Sequence, residues 1–249
     1  MPRPSFELPG WFDGRYYTHL DSTNDEAKRL AEAGARDGTF VVAVEQGKGR
    51  GRSGRQWSSP PGNLYSSLLL RDIPSPTEGA LYSFVAALAV ADAIIAADEK
   101  LAVSLKWPND VLVNGLKISG ILLESSAARN WLVIGAGINV ACKPNIPGLA
   151  ATSLSDQSLS ITLDDFASLY AASLANWVTT FRTRGFHVIR EAWLARARGV
   201  GEPIKARVGN AEYHGIFQDL DETGALILVD GNGNNRSITS GEVFFDDQL

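Results

Sequence analysis

The sequence predicts an α+β protein, a mixed β-sheet flanked by helices and followed by a small all-β unit. Two observations carry this. Up to about residue 198, short β-branched strand runs are interleaved with helical segments that have caps and apolar faces. Beyond Gly199, five short strands follow one another across Gly- and Asn-rich turns, the spacing of a small β-barrel. A chain of 249 residues accommodates one sizeable domain and one small one, here residues 1–198 and 199–249.

Ser22 and Thr23 precede Asn24-Asp25-Glu26, a hydroxyl-capped helix start with acids in its first turn, and Gly34 ends that helix. Thr39–Val44 is a buried-strand run, and Leu64–Leu70 is the next strand. The Ala-rich stretch Ala80–Ala97 carries Ser83 and Asp92, so it reads as a buried helix, Tyr82–Asp98, and not as a membrane span. Val103–Trp107 and Asp110–Val113 are short strands split by Pro108. Asn114-Gly115 before Leu116-Lys117-Ile118 signals a type I′ hairpin. Leu132–Ile134 is a strand ending at Gly135-Ala136-Gly137. Thr162 and Asp165 form a capping box for a helix bearing Phe166, Leu169, Leu174 and Trp177, and a second helix spans Phe186–Arg198. The C-terminal strands are Ile204–Val208, Glu212–Leu220, Leu226–Val229, Arg236–Thr239 and Glu242–Phe245.

Composition narrows the chemistry. A net charge of -5 gives no general basic field for nucleic acid, and Met1–Trp11 lacks the apolar run of a signal peptide. With Cys142 as the single cysteine, no internal disulfide can form and paired-cysteine metal sites are excluded, which points to a reducing, cytoplasmic setting. Cys142, His19, His187 and His214 all lie outside the motifs below, so no Cys-His or Ser-His nucleophile is suggested.

Against this acidic background, Gly47–Arg55 reads G-K-G-R-G-R-S-G-R, four glycines alternating with four cations. Gly49–Gly54 imitates a dinucleotide fingerprint, but Trp57-Ser58-Ser59-Pro60-Pro61-Gly62 follows where a helix should open, and no G-K-[ST] closes a phosphate loop. Arginine forks suit phosphate and carboxylate oxygens, and glycines bring backbone N–H groups close. No acidic residue occurs between Gly47 and Arg71 to offset the charge, and Trp57 is placed to stack on a base. A second constellation joins Lys106-Trp107-Pro108-Asn109-Asp110 to Lys117 and Gly120 across the hairpin, and a third is Gly135-Ala136-Gly137-Ile138-Asn139.

These blocks, in this order and spacing, closely resemble the signature of biotin-protein ligases, with Ser22, Thr23, Asn24 and Gln46 matching the family's ligand-contacting positions. The resemblance covers Leu20 to about Asn139 and, in character, the C-terminal unit. It implies a catalytic core like that of class II aminoacyl-tRNA synthetases with a Src-homology-3-like barrel. It also implies ATP-dependent joining of biotin to a lysine of a biotin carboxyl carrier protein domain, through biotinyl-5′-adenylate, with Mg²⁺ assisting. By the same resemblance Arg50, Arg52 and Lys117 are the catalytic cations. Ser22, Thr23, Asn24, Gln46, Gly49, Arg50, Gly51, Arg52, Lys117, Gly120, Gly135 and Gly137 receive biotin, the hydroxyls and amides meeting its urea and the glycines leaving room. Arg52, Arg55, Trp57, Lys106, Asn109, Asp110, Lys117 and Asn139 receive ATP and the adenylate, with no metal ligand assigned. About 20 residues precede Ser22, too few for the DNA-binding domain of repressor relatives, so neither DNA nor membrane is an expected partner, and a monomer or weak homodimer is expected. A lipoate-protein ligase shares the adenylate chemistry but has no use for the urea contacts, and an RNA-binding module would call for further basic and aromatic clusters.

A water-labile acyl-adenylate gives the glycine-rich segment a purpose as a lid, mobile when empty and ordered over the ligand. Limited proteolysis should therefore cut Gly47–Gly54 faster in the empty protein than with biotin and ATP, and equal rates would contradict closure.

Overall fold

The computed structural model describes residues 5–128, 130–146 and 150–245, so residues 1–4 and 246–249 of the two spans above lie outside it. In chain order the elements are β1 (Asp13–Leu20), α1 (Thr23–Glu32), β2 (Thr39–Gln46), β3 (Leu64–Arg71), α2 (Pro76–Ala97), β4 (Val103–Lys106), β5 (Asp110–Val113), β6 (Leu116–Ser126) and β7 (Trp131–Ile138). They continue with α3 (Leu163–Arg184), α4 (Phe186–Leu194), β8 (Pro203–Val208), β9 (Ala211–Leu220), β10 (Leu226–Val229), β11 (Asn235–Ile238) and β12 (Glu242–Phe245).

A seven-stranded sheet runs β1-β2-β3-β7-β6-β5-β4. It is mixed, because β1 pairs parallel to β2 while every other neighbour is antiparallel. Its two faces have different covers. On one, α2 is buried along most of its length with α3 and α4 behind it, forming the large core of Leu88, Tyr170, Phe166 and Trp193. On the other, the short α1 covers only a patch made by Ala27, Ala31, Val41, Ala43, Leu69 and Val133, and the rest of that face stays open for the site. Helix α2 is long and apolar enough to cross a membrane by composition, yet it is mostly enclosed in this core.

Several boundaries differ from the sequence expectation for local reasons. Strand β1 was not anticipated, since its residues are mostly half-buried or exposed and it sits at a sheet edge, where alternation is weak. Helix α2 starts at Pro76 and not at Tyr82, because the Ser75 side chain accepts from the Glu78 backbone N–H and Pro76 suits the first turn. Strand β7 runs through Gly135 and Gly137 to Ile138, held on both sides by β3 and β6. Ser22 occupies the N-cap of α1 without a side-chain bond, so the expected hydroxyl cap is absent; the Thr23 backbone N–H is met instead by Gln46 Oε1 at 2.7 Å. The Thr162 cap of α3 forms as expected, accepting from the Asp165 N–H, and Asn114 and Gly115 take the positive φ values, 49° and 77°, of a type I′ turn.

The C-terminal unit is a five-stranded antiparallel sheet, β11-β10-β9-β8-β12, whose Phe217, Leu226 and Phe245 join the large core. Trp107, buried beside the cis Trp107-Pro108 bond, donates from Nε1 to the Gly224 carbonyl at 3.0 Å and so fixes this sheet to the tip of β4. After α4 the chain lies along β4, with Leu105 and Ala197 bridged, and this covers one edge of the main sheet.

Leu88→Ala should lower unfolding free energy by about 2–5 kcal/mol, because a fully buried side chain is lost from α2. Thr162→Ala should lower it by about 1 kcal/mol through loss of the cap. Urea denaturation of both variants checks the order.

Candidate functional site

Period-2 alternation brings the site glycines together. Gly120 pairs with Gly137, Leu122 with Gly135, and Gly135 and Gly137 pair in turn with Ser67 and Tyr65, so these residues form rows on the sheet face that α1 leaves open. A cleft of about 1290 Å³ opens over these rows, between the main sheet, the glycine-rich segment and the β8 and β12 edge of the C-terminal sheet. Ser22, Thr23, Asn24, Gln46, Arg50, Gly51, Arg52, Arg55, Trp57, Lys106, Asn109, Asp110, Lys117, Gly120, Gly135, Gly137 and Asn139 all line it. Of the sequence-selected residues only Gly49 is absent from the wall, and its carbonyl accepts from Trp57 N at 2.9 Å behind it.

The glycine-rich segment is a tight hairpin. Arg50 bridges Gln56, Gly51 N donates to Arg55 O at 2.7 Å, and the turn passes through Ser53 and Gly54 with φ of 57° and 72°. Its cations find partners from distant parts of the chain, although none is near in sequence. Lys48 pairs with Asp21 at 3.2 Å. Arg50 forks onto Asp25 at 2.6 and 2.7 Å and also reaches Glu124 at 2.9 Å. Arg55 pairs with Glu242, whose carboxylate also takes Arg207 at 2.6 Å. Arg52 differs from these: its hydrogen bonds go to uncharged groups, Asn109 Oδ1 at 3.0 Å and the Gly241 carbonyl at 3.5 Å. Burial lowers its pKa from the ordinary arginine value, against the attraction of Asp110.

A polar chain runs beneath the hairpin. Gln46 Oε1 accepts from Thr23 N and from Thr23 Oγ1, and Gln46 Nε2 donates to Ser59 Oγ at 2.9 Å. Ser67 Oγ lies 2.8 Å from Thr23 Oγ1 and 2.6 Å from Asn24 Oδ1, and Asn24 Nδ2 donates to Glu124 Oε2 at 2.8 Å. Two glycines are spaces for protein side chains: a Cβ on Gly135 would collide with the Asn24 amide, and one on Gly137 with the Trp57 indole. Gly120 likewise faces the Trp57 ring at 3.0 Å. The Trp57 Nε1 is buried with no hydrogen-bond partner among the described residues, a donor left over in the cleft.

At the other end Lys117 Nζ pairs with Asp110 at 2.6 Å and lies 5.7 Å from the Trp57 ring centroid. Asn109 is fixed by donating to the Ile121 carbonyl, and Asn139 by donating to the Thr152 carbonyl. Lys106 stands 5.6 and 5.5 Å from the Phe244 and Phe245 ring centroids, facing the C-terminal sheet. Sequence reading missed Ser59, Ser67, Glu124, Arg207 and Glu242. Ser66-Ser67 inside an apolar strand was a usable signal for Ser67; nothing local marks Glu242.

Residues 16–139 match the Biotin/lipoate A/B protein ligase family and residues 199–246 the Biotin protein ligase C terminal domain. The chain is 43% identical to the biotin--[acetyl-CoA-carboxylase] ligase of Paracoccus denitrificans, over 90% of this chain and 97% of that protein. A biotin protein ligase from Aquifex aeolicus, solved in complex with biotin and ATP, superposes with a TM-score of 0.78 at 30% identity over 93% of this chain and 97% of that one. A biotin protein ligase from Leishmania major in complex with biotinyl-5-AMP gives 0.63 at 25% identity over 92% and 99%.

Arg50 holds the Asp25 carboxyl far below its ordinary 3.8. Burial pushes Glu124 up, but bonds from Lys28, Asn24 and Arg50 outweigh it and hold its pKa below 4.5. Both carboxylates bind protons more weakly when folded, so their contribution is complete above about pH 4.5 and drains away as pH falls through the depressed folded values. The stability difference between the wild-type protein and Arg50→Gln should be largest near neutral pH and shrink in urea titrations below pH 4.

Proposed function

The chain belongs to the biotin protein ligase family, and from that membership and the cleft geometry we propose that it joins biotin to a lysine of a biotin carboxyl carrier protein domain, using ATP. The observation that carries the proposal is that one cleft holds a neutral polar end, at Ser22, Thr23 and Gln46, and a cationic end, at Arg52 and Lys117. Biotin offers the matching halves, a neutral urea on an apolar bicycle and a carboxylate on a tail. That pairing also favours biotin over lipoate, whose dithiolane makes no use of hydroxyl and amide partners.

In the first step a biotin carboxylate oxygen attacks the α-phosphorus of ATP, the bond to the bridging oxygen breaks, and pyrophosphate leaves. The obstacle is repulsion between two anions. Arg52, not bound to a carboxylate, and Lys117, held beside Asp110, meet the charge that develops on the phosphoryl oxygens. Trp57 and Asn139 flank the adenine side, and Arg55, Lys106 and Arg207 lie toward the departing phosphates. In the second step the neutral amine of the acceptor lysine attacks the acyl carbon, the amide forms, AMP leaves and a proton goes to solvent. The five-stranded C-terminal unit, read as a Src-homology-3-like barrel spanning residues 199–249, closes the phosphate end of the cleft through Arg207 and Glu242.

Magnesium belongs to the same proposal. Asp110, which lines the cleft beside Lys117, would be the carboxylate that holds the ion. When bound, it neutralises phosphate charge. The Paracoccus denitrificans relative, 97% of whose length is covered, bears the name of a biotin--[acetyl-CoA-carboxylase] ligase, which supports the ligase reading for this chain.

Biotin-dependent exchange of labelled pyrophosphate into ATP should be fast, and lipoate-dependent exchange slow. Lys117→Ala and Arg52→Ala should each lower the biotin-dependent rate by a factor on the order of 10² to 10³, equivalent to ~3 kcal/mol. Absence of exchange with either acid sinks the ligase reading.

A further inference from the structure

Arg50 carries a charge that is already matched. Around it Asp25 and Glu124 supply two carboxylates and Lys28 a second cation, with Lys28 Nζ 2.7 Å from Asp25 and 2.8 Å from Glu124. The four charges sum to zero, whereas among the described residues Arg52, two residues on, donates to the uncharged acceptors Asn109 and Gly241. Glu124 is the hub of this group. It accepts from Arg50 of the hairpin, from Lys28 of α1, and from Asn24, whose own oxygen takes the Ser67 hydroxyl next to Thr23 and Gln46. One carboxylate on β6 thus holds the hairpin root and the polar end of the cleft in a single hydrogen-bonded chain. Beyond Arg50 the hairpin is differently placed, with Ser53, Gly54, Arg55 and Gln56 exposed.

We propose that Glu124 is a positioning residue that latches the root of the Gly47–Trp57 hairpin to the biotin pocket, acting through Arg50 and Asn24 and touching neither substrate. The exposed tip then swings about a fixed root, and the hairpin does not open as a whole. Arg50 serves the latch, which leaves Arg52 to meet the phosphate. The inference rests on the ligase reading, and it assigns Glu124 the task of keeping a water-labile acyl-adenylate enclosed until the acceptor lysine arrives.

The test compares wild type, Glu124→Gln, Arg50→Gln and the double variant, each with a thermal melt to establish folding. It measures pyrophosphate released per biotinyl amide formed on an acceptor domain. Each single variant should raise that ratio by something on the order of tenfold to a hundredfold, because a freed root lets the intermediate reach water. The double variant should fall short of the product of the two single effects, since the Arg50–Glu124 contact is lost in both. A carboxylate that only stabilises the fold would lower the melting temperature and leave the ratio alone. An unchanged ratio in folded Glu124→Gln, or additive effects in the double variant, overturns the proposal. Trypsin on the empty wild-type protein decides the matter should Glu124→Gln not fold: cleavage should follow Arg52 and Arg55 and spare the Arg50–Gly51 bond, and equal cutting at Arg50 overturns the latch. Wild type lacking biotin-dependent exchange would count instead against the ligase reading.

Discussion

The guanidinium of Arg50 sits where three segments remote in sequence meet: the basic hairpin, the first turn of α1 and the C-terminal end of β6. A planar fork with two parallel bonds to Asp25 and a further contact to Glu124 fixes direction as well as distance, which a lysine ammonium would not. Side chains that are about a quarter to a third exposed gain only modest Coulomb energy, so the value of this group lies in geometry more than in stability. It sets where the hairpin leaves the sheet, and through Asn24 and Ser67 it sets the polar end of the cleft.

The cleft itself follows from unequal covering of the two sheet faces. Helices α2 and α3 cover one face with the large apolar core, while α1 is short and leaves part of the other face open around Gly120 and Gly137. Where the open face carries Gly120, Gly135 and Gly137 there is no Cβ layer, and the space goes to the Asn24 amide and the Trp57 indole. The wall opposite comes from the C-terminal sheet, held by the Trp107 bond to Gly224 and by Glu242, which spans Arg55 of the hairpin and Arg207 of β8. On the proposed function, an incoming phosphate would compete with this single carboxylate for the two guanidinium groups.

Legibility followed the range of the interaction. Elements fixed by local signals were readable: the Thr162 cap, the Asn114-Gly115 turn, the apolar runs of β2 and β3, and the five C-terminal strands. Strand β1 was not, because an edge strand half exposed to water has little reason to alternate. Ser22 misled, since a hydroxyl at a helix start is the usual cap, yet Gln46 from the neighbouring strand took that role. The motif residues lined up in one cleft nearly without exception, but their pairings came from elsewhere in the chain. The absence of acids near the basic segment in sequence gave no hint that Asp21, Asp25, Glu124 and Glu242 surround it.

By itself the sequence determined the α+β class, the alternation of glycine with arginine, and which polar and cationic residues could meet a ligand with one neutral and one anionic end. Those properties reside in residue type and short spacing, which backbone conformation and side-chain chemistry fix locally. Only the tertiary structure decided which cation is matched and which is left to an anion. Arg50 and Arg52 are two residues apart in the same motif, and what separates them is the placement of Asp25 and Glu124 by a helix and a strand that pack together only when the sheet is formed.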